Sequence, residues 1–337
     1  MSPASSQPIE IFGLTKCFGA LRAVDDFDLT VREGSVHGFV GPNGAGKSTT
    51  IRALLGLLKP DAGMLRLTGV DPTRDPAAAT ARVAYVPGEV SLWPHLTAGQ
   101  AIATLARLRP DGDDAARRAE LIERFDLDPS KKMRTYSKGN RQKVVLVAAL
   151  AANVDVLVLD EPTSGLDPLM ERVFGQCVRE ASERGVSVLL SSHILSEVQL
   201  LADDITIIRQ GRVVESGALK DLSHLRGSRI TAVLPGGIPY ETTTEGASVR
   251  DELQRLLLTG ADQITCTPAS LEDIFLDHYG TELSADERDE ACGPSTYTGA
   301  ARAAVPSTTV EAEVPWADRD PDEEPPPRVM WRPVRGE

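Results

Sequence analysis

Apolar runs rich in β-branched residues recur along the chain at Val36–Val40, Val83–Val86, Val154–Leu159, Val186–Leu190 and Ile205–Ile208. Set between helical stretches, such runs predict a buried, mainly parallel sheet. One of the intervening stretches, Asp113–Leu127, carries Ala116, Ala119, Ile122 and Phe125 at helical spacing and predicts an amphipathic helix. The alternation spans Ile9 to about Leu222, after a flexible N-terminus over 1–8. A second, smaller unit follows from about Ser228 to Gly280. In it Arg229–Leu234 and Gln263–Thr267 read as strands and Val249–Leu258 as a helix. Ser270 ahead of Leu271-Glu272-Asp273-Ile274-Phe275 reads as an N-cap with a carboxylate three positions on. This unit is expected to pack on the main domain. From Ser284 the periodicity ends. Eight of the 23 prolines lie there, with 12 acidic residues against 6 basic. That composition buries too little apolar surface to offset chain entropy and predicts a disordered tail over 284–337.

Composition narrows the classes without choosing among them. Across 337 residues the apolar fraction is 41% and the charged fraction 25%, as in ordinary globular proteins. A net charge of −13 argues against a nucleic-acid partner, because neutralising phosphates needs clustered Lys and Arg. The four cysteines form no C-x-x-C pair, which fits incidental thiols in a reducing compartment. The most apolar stretch, Val144–Leu159, is broken by Asn153 and Asp155 and falls short of the roughly 20 residues a membrane helix needs. The N-terminus has neither the positive start nor the apolar run of a signal peptide. A role at a membrane would therefore run through a partner.

Gly41-Pro42-Asn43-Gly44-Ala45-Gly46-Lys47-Ser48-Thr49 has the G-x-x-x-x-G-K-S/T spacing of a phosphate-binding loop. It follows the strand Val36–Val40 and precedes a helix expected over Thr50–Leu58. The glycines let backbone N–H groups turn inward around phosphates, and the helix N-terminus adds a favourable field. Lys47 would reach the β- and γ-phosphates, and the Ser48 hydroxyl would ligate Mg²⁺. About 110 residues later, Val156-Leu157-Val158-Leu159 ends in Asp160-Glu161. This puts Asp160 at a strand end as a carboxylate for the metal, and Glu161 one residue beyond, able to polarise a water. Pro162-Thr163-Ser164-Gly165-Leu166-Asp167-Pro168 follows directly.

On these residues the chain resembles the nucleotide-binding domain of ABC transporters, over roughly Ile9 to Leu222. The resemblance implies an α/β P-loop NTPase fold, an ABC-ATPase domain with a helical subdomain at about 90–150. The small α+β C-terminal module and the acidic tail would follow it. It implies roles for further residues. Tyr136-Ser137-Lys138-Gly139-Asn140 falls at the family signature, usually L-S-G-G-Q, whose Ser137 and Gly139 would touch the γ-phosphate held by a second subunit. Asp167 falls in the D-loop, His193 at the switch histidine that clamps the γ-phosphate, and Phe18 at the aromatic position that stacks on adenine. The signature departs at its first, third and fifth residues. The Q-loop glutamine expected after Val86-Pro87 is replaced by Gly88-Glu89.

The resemblance further implies ATP and Mg²⁺ as ligands and a head-to-tail dimer with ATP at the interface. The membrane-spanning permease would be a separate subunit, and this chain would work at the cytoplasmic face of the membrane. The C-terminal module is similar to that of exporter ATPases acting on drugs and polysaccharides, and the body to those of antibiotic efflux. A soluble ABC protein acting on ribosomes or DNA is the alternative. Against it stand the single phosphate loop, the absence of a heptad insertion and the acidic balance. A non-hydrolysing regulatory subunit is disfavoured by the intact Lys47, Asp160, Glu161 and His193.

Overall fold

The computed structural model describes residues 7–109, 111–221, 228–244 and 248–268. The expected N-cap at Ser270 and the proline-rich tail lie outside the described residues. The chain opens with the antiparallel pair β1 (Ile9–Phe18) and β2 (Leu21–Val31), joined through Gly19 at φ 61°. Strand β3 (Val36–Val40) leads into α1 (Lys47–Leu54), and β4 (Ala62–Leu67), α2 (Pro76–Thr80) and β5 (Val83–Val86) follow. The helices α3 (Ala98–Arg107), α4 (Ala115–Arg124) and α5 (Lys138–Leu150) come next. Then β6 (Val156–Asp160), α6 (Pro168–Glu183), β7 (Ser187–Ser192), α7 (Leu195–Leu201), β8 (Asp204–Arg209) and β9 (Arg212–Ala218) complete the main body.

The central sheet has the order β5-β6-β7-β3-β8-β9, parallel throughout except for the antiparallel edge strand β9. Its inner strands are buried on both faces, so neighbouring side chains enter different cores. Leu157 and Leu159 join one core with Val188, Leu190, Ile205 and the helices α3 and α5–α7. Val156 and Val158 join the other, with Phe39, Leu189, α1 and the antiparallel sheet β2-β1-β4. Phe27 of β2 meets Phe39 of β3 with ring centroids 5.4 Å apart, a tilted pair where the two sheets face each other. At the margin of the first core, Arg117 and Arg124 of α4 reach the partly exposed Glu180 of α6 at 2.6 and 2.9 Å. Hydrogen bonding from Arg124, then from Arg117, holds the Glu180 carboxyl down at about 2.

Helix α1 begins three residues earlier than its sequence suggests and stops four earlier. Gly46 takes φ 110° as its N-cap, so the helix starts on Lys47 itself. At the other end Gly56 turns to φ 70° and Leu57 N–H bonds back to Arg52, which closes the helix. The C-terminal module holds β10 (Ser228–Leu234), β11 (Ile238–Thr244), α8 (Ser248–Leu258) and β12 (Asp262–Pro268), with strand order β11-β10-β12. Its core is small, with Ile230, Ala232 and Leu256 buried.

Candidate functional site

The carboxyl ends of β6, β7 and β3 lie side by side in the central sheet, and the sequence puts Asp160, Ser192 and Gly41 at those ends. Ligands in open α/β sheets bind at that edge, where the strand order switches direction about β3.

The phosphate loop is anchored before it turns. Gly41 N–H donates to Ser192 O at 3.4 Å, and Gly211 N–H to Ala45 O at 2.9 Å. At Gly46 a Cβ would stand 2.6 Å from the carbonyl oxygen of Ala23, so β2 itself requires glycine there. Gly44, at φ 82°, lies in open space at the loop tip with exposed Asn43. Beyond it, the first-turn amides of α1 have no acceptor within the helix and are free for an anion. Lys47 is 4% exposed, and its ammonium donates to the carbonyls of Gly41 at 2.5 Å and Pro42 at 3.2 Å. Burial lowers its pKa, against the opposing pull of Glu161 and Asp160.

Asp160 is buried, and its Oδ1 accepts from the Ser191 hydroxyl at 2.6 Å. Glu161 follows at φ 48°, a left-handed backbone uncommon outside glycine. Its N–H is held by Ser191 O at 3.1 Å and Ser191 Oγ at 3.2 Å. Ser191 therefore organises both acids, a role not evident from its place just after the apolar run Val186–Leu190. The Glu161 carboxylate lies between two cationic or basic groups, Lys47 Nζ at 3.5 Å and His193 Nδ1 at 3.2 Å. His193 is exposed beyond the end of β7, while Ser192 turns back to accept from Ile194 N–H.

The structure thus brings Lys47, Asp160, Glu161 and His193 to one place. Gly88 stands beside them: a Cβ there would lie 3.4 Å from Asp160 O. Glu89 is exposed, whereas Val90 and Leu92 pack on the main core. Phe18 is half-exposed at the end of the β1–β2 hairpin, with Lys16 Nζ 5.6 Å from its ring centroid. That hairpin abuts the loop through the Ala23 carbonyl behind Gly46.

The signature segment makes its contacts elsewhere. Ser137 caps α5 by accepting from Asn140 N–H, and buried Tyr136 donates its hydroxyl to Asp128 O at 2.6 Å. Tyrosine in place of leucine therefore serves the local packing. Lys138 Nζ lies 3.2 Å from Ser164 Oγ, and a Cβ on Gly139 would overlap the carbonyl oxygen of Gly165. Asp167 caps α6, accepting from Leu169 and Met170 N–H at 3.1 and 3.0 Å. Two residues that the sequence did not single out bind the segment after Glu161. Gln142 donates to Pro162 O, and Glu197 accepts from Thr163 Oγ1 and Ser192 Oγ. Pro162 and Thr163 lie 20 and 34 positions from these partners, so no local pattern announces them.

A match to the ABC transporter family covers residues 24–164. The daunorubicin/doxorubicin resistance ATP-binding protein DrrA of Streptomyces peucetius is 38% identical over 234 residues, 68% of this chain and 71% of that protein. The chain belongs to the ABC transporter family. It is an ATP-binding and ATP-hydrolysing subunit, and the soluble alternative gains nothing from its relatives. The daunorubicin resistance ATP-binding protein DrrA2 of Streptomyces coeruleorubidus is 38% identical over 311 residues, 82% of this ABC ATPase and 97% of that chain. The linearmycin resistance ATP-binding protein LnrL of Bacillus subtilis is 33% identical over 230 residues, 67% and 74% of the two chains. A solved ATP-binding subunit of an ABC transporter superposes with TM-score 0.60 at 30% identity, covering 64% of this chain and 92% of that one. The dimeric cassette MJ0796 superposes with TM-score 0.57 at 24% identity, over 63% and 98%, and shares the fold. Among the described residues no helix is long and apolar enough to cross a membrane.

Proposed function

We propose that this ATPase powers export of a drug, antibiotic or other hydrophobic small molecule through a separate membrane-spanning subunit. On this reading it works at the cytoplasmic face of the membrane as a head-to-tail pair. Each ATP lies between one copy's phosphate loop and the other copy's Ser137–Asn140. The observation that carries the chemistry is the position of the Glu161 carboxylate, between Lys47 and His193 and one residue past buried Asp160. The relatives named for daunorubicin, doxorubicin and linearmycin resistance support the substrate class.

The donor set suits Mg²⁺, which favours hard oxygen ligands and is usually held by one or two carboxylates plus substrate phosphates. Asp160 and the Ser48 hydroxyl supply such oxygens, and the ion would neutralise charge on the phosphates. In this reading Phe18 stacks on adenine, and the amides of Gly41–Thr49 take the phosphate oxygens. Lys47 exchanges the carbonyls of Gly41 and Pro42 for the β- and γ-phosphates, which leaves Glu161 without its cation. Its carboxylate then accepts a proton from water as the water oxygen bonds to the γ-phosphorus. The bond from that phosphorus to the bridging oxygen breaks, and ADP leaves with the electron pair. His193 holds the γ-phosphate, and Asp167 acts at the interface between copies.

Co-expression with the candidate membrane subunit, followed by detergent extraction, tests the assignment. The expected result is co-purification and an ATPase rate that rises with the partner and with its hydrophobic substrate. An ATPase found only in the soluble fraction, indifferent to any membrane protein, would contradict export.

A further inference from the structure

The two turns after Glu161 are held by the helix that begins at the signature. We propose that Gln142 is a positioning residue that joins this helix to the hydrolytic carboxylate of its own subunit. The inference rests on the reading of Glu161 as the residue that acts on water.

Gln142 is 1% exposed, and its Nε2 donates to Pro162 O at 3.1 Å. Pro162 is the residue after Glu161 and is itself buried. A buried carbonyl requires a donor, and a proline-containing turn leaves little freedom to find another. The turn is closed by Ser164 N–H donating to Glu161 O at 3.2 Å, with Pro162 at its second position. Glu161 meanwhile holds φ 48° and is fixed on its other side by Ser191. Its strained backbone is thus pinned from β7 and, one peptide later, from α5. Two further contacts join the same surfaces: Lys138 to Ser164, and Gly139 laid directly on the Gly165 carbonyl. The helix that presents the signature to the partner's nucleotide therefore carries the carboxylate of its own site. A shift of α5 moves the Pro162 carbonyl, and with it the peptide on which the Glu161 side chain is aimed.

Full-length Gln142→Met removes the donor and keeps the volume. Turnover is expected to fall at least tenfold, while binding of a fluorescent ATP analogue stays within about twofold, because Gly41–Thr49 is untouched. Gln142→Glu supplies a second reading in case the methionine variant folds poorly. As a carboxylate it faces the Pro162 carbonyl without a proton to offer. As pH falls it becomes an acid that can donate, so its turnover relative to the native chain should rise. A flat ratio across pH overturns the proposal, as does native turnover in Gln142→Met, or loss of analogue binding equal to the loss of turnover. A fully active Glu161→Gln overturns the underlying reading and this one with it. An inactive Glu161→Gln beside a fully active Gln142→Met overturns this inference alone.

Discussion

The phosphate loop and the loop at Gly88-Glu89 both leave the central sheet at the end of a parallel strand, yet they are constrained very differently. The first is fixed by its own backbone: Gly46 cannot bear a side chain against Ala23 O, and Lys47 is buried over Gly41 and Pro42. The second sets beside Asp160 a glycine with space for a Cβ at ordinary contact distance, and its charged residue is exposed. Contacts made by backbone and short buried side chains within one chain leave little latitude for substitution. A loop whose side chains face outward can lose its usual glutamine, and what remains there is the partly buried apolar packing of Val90 and Leu92. The signature shows both behaviours: Gly139 is dictated by Gly165 of the same chain, whereas Lys138 is an exposed departure.

Lys47→Ala attacks the constrained side. It removes the buried cation proposed to bind the phosphates and is expected to lower turnover by roughly 10²–10³, by analogy with loss of one preorganised charge-stabilising group. Near-native ATPase in that variant would break the comparison at its stronger end.

Gly139→Ala places a methyl group on the Gly165 carbonyl. Turnover should fall about tenfold and the thermal midpoint by several degrees, since overpacking costs about 1–3 kcal/mol. Asn140→Ala, on the same turn without that clash, should leave the midpoint close to native in the same scan.

The pair Glu89→Ala and Trp93→Ala tests the looser side. Glu89→Ala should change basal hydrolysis by less than about twofold, its carboxylate being exposed. Trp93, 46% exposed beyond Leu92, should matter for stimulation by the proposed membrane subunit and not for the basal rate. The reverse pattern would show that Glu89 has taken the missing glutamine's place.

His37 gives the smallest effect on turnover and a distinct one on stability. It is the second residue of β3, hydrogen-bonded to Thr206 at 2.9 Å, and burial pushes its pKa down to about 4. The unfolded chain binds that proton first, near the ordinary histidine value of about 6.5. Its contribution to stability is thus complete above about 6.5 and is lost as pH falls toward 4, by about 3 kcal/mol in all. Urea unfolding of native chain and His37→Gln across that window should show a smaller acid loss in the variant.

The sequence was most informative where one local rule decided the outcome. Val36–Val40 and Val83–Val86 are strands at the bounds their apolar runs suggest, because nothing but a doubly covered strand suits them. It was less informative at α1, whose start depends on a left-handed Gly46 rather than on the first periodic residue. Strand β11, with Glu241-Thr242-Thr243-Thr244, lacks an apolar run and is recognisable only through its pairing with β10. Asp160 and Glu161 could be placed at the end of a strand, and Lys47 at the head of the helix after β3, from spacing alone. Ser191, Gln142 and Glu197 could not, since each acts through a partner between 20 and 34 positions away that only the folded chain brings near.

The most direct test of the site is Glu161→Gln assayed for ATP turnover and for size in the presence of ATP. The amide keeps the shape beside Lys47 and His193 but cannot accept the proton of an attacking water. The expected result is native ATP binding, a loss of nearly all turnover and an ATP-dependent dimer that persists through size-exclusion chromatography. Native turnover in this variant, with no trapped dimer, would contradict the account.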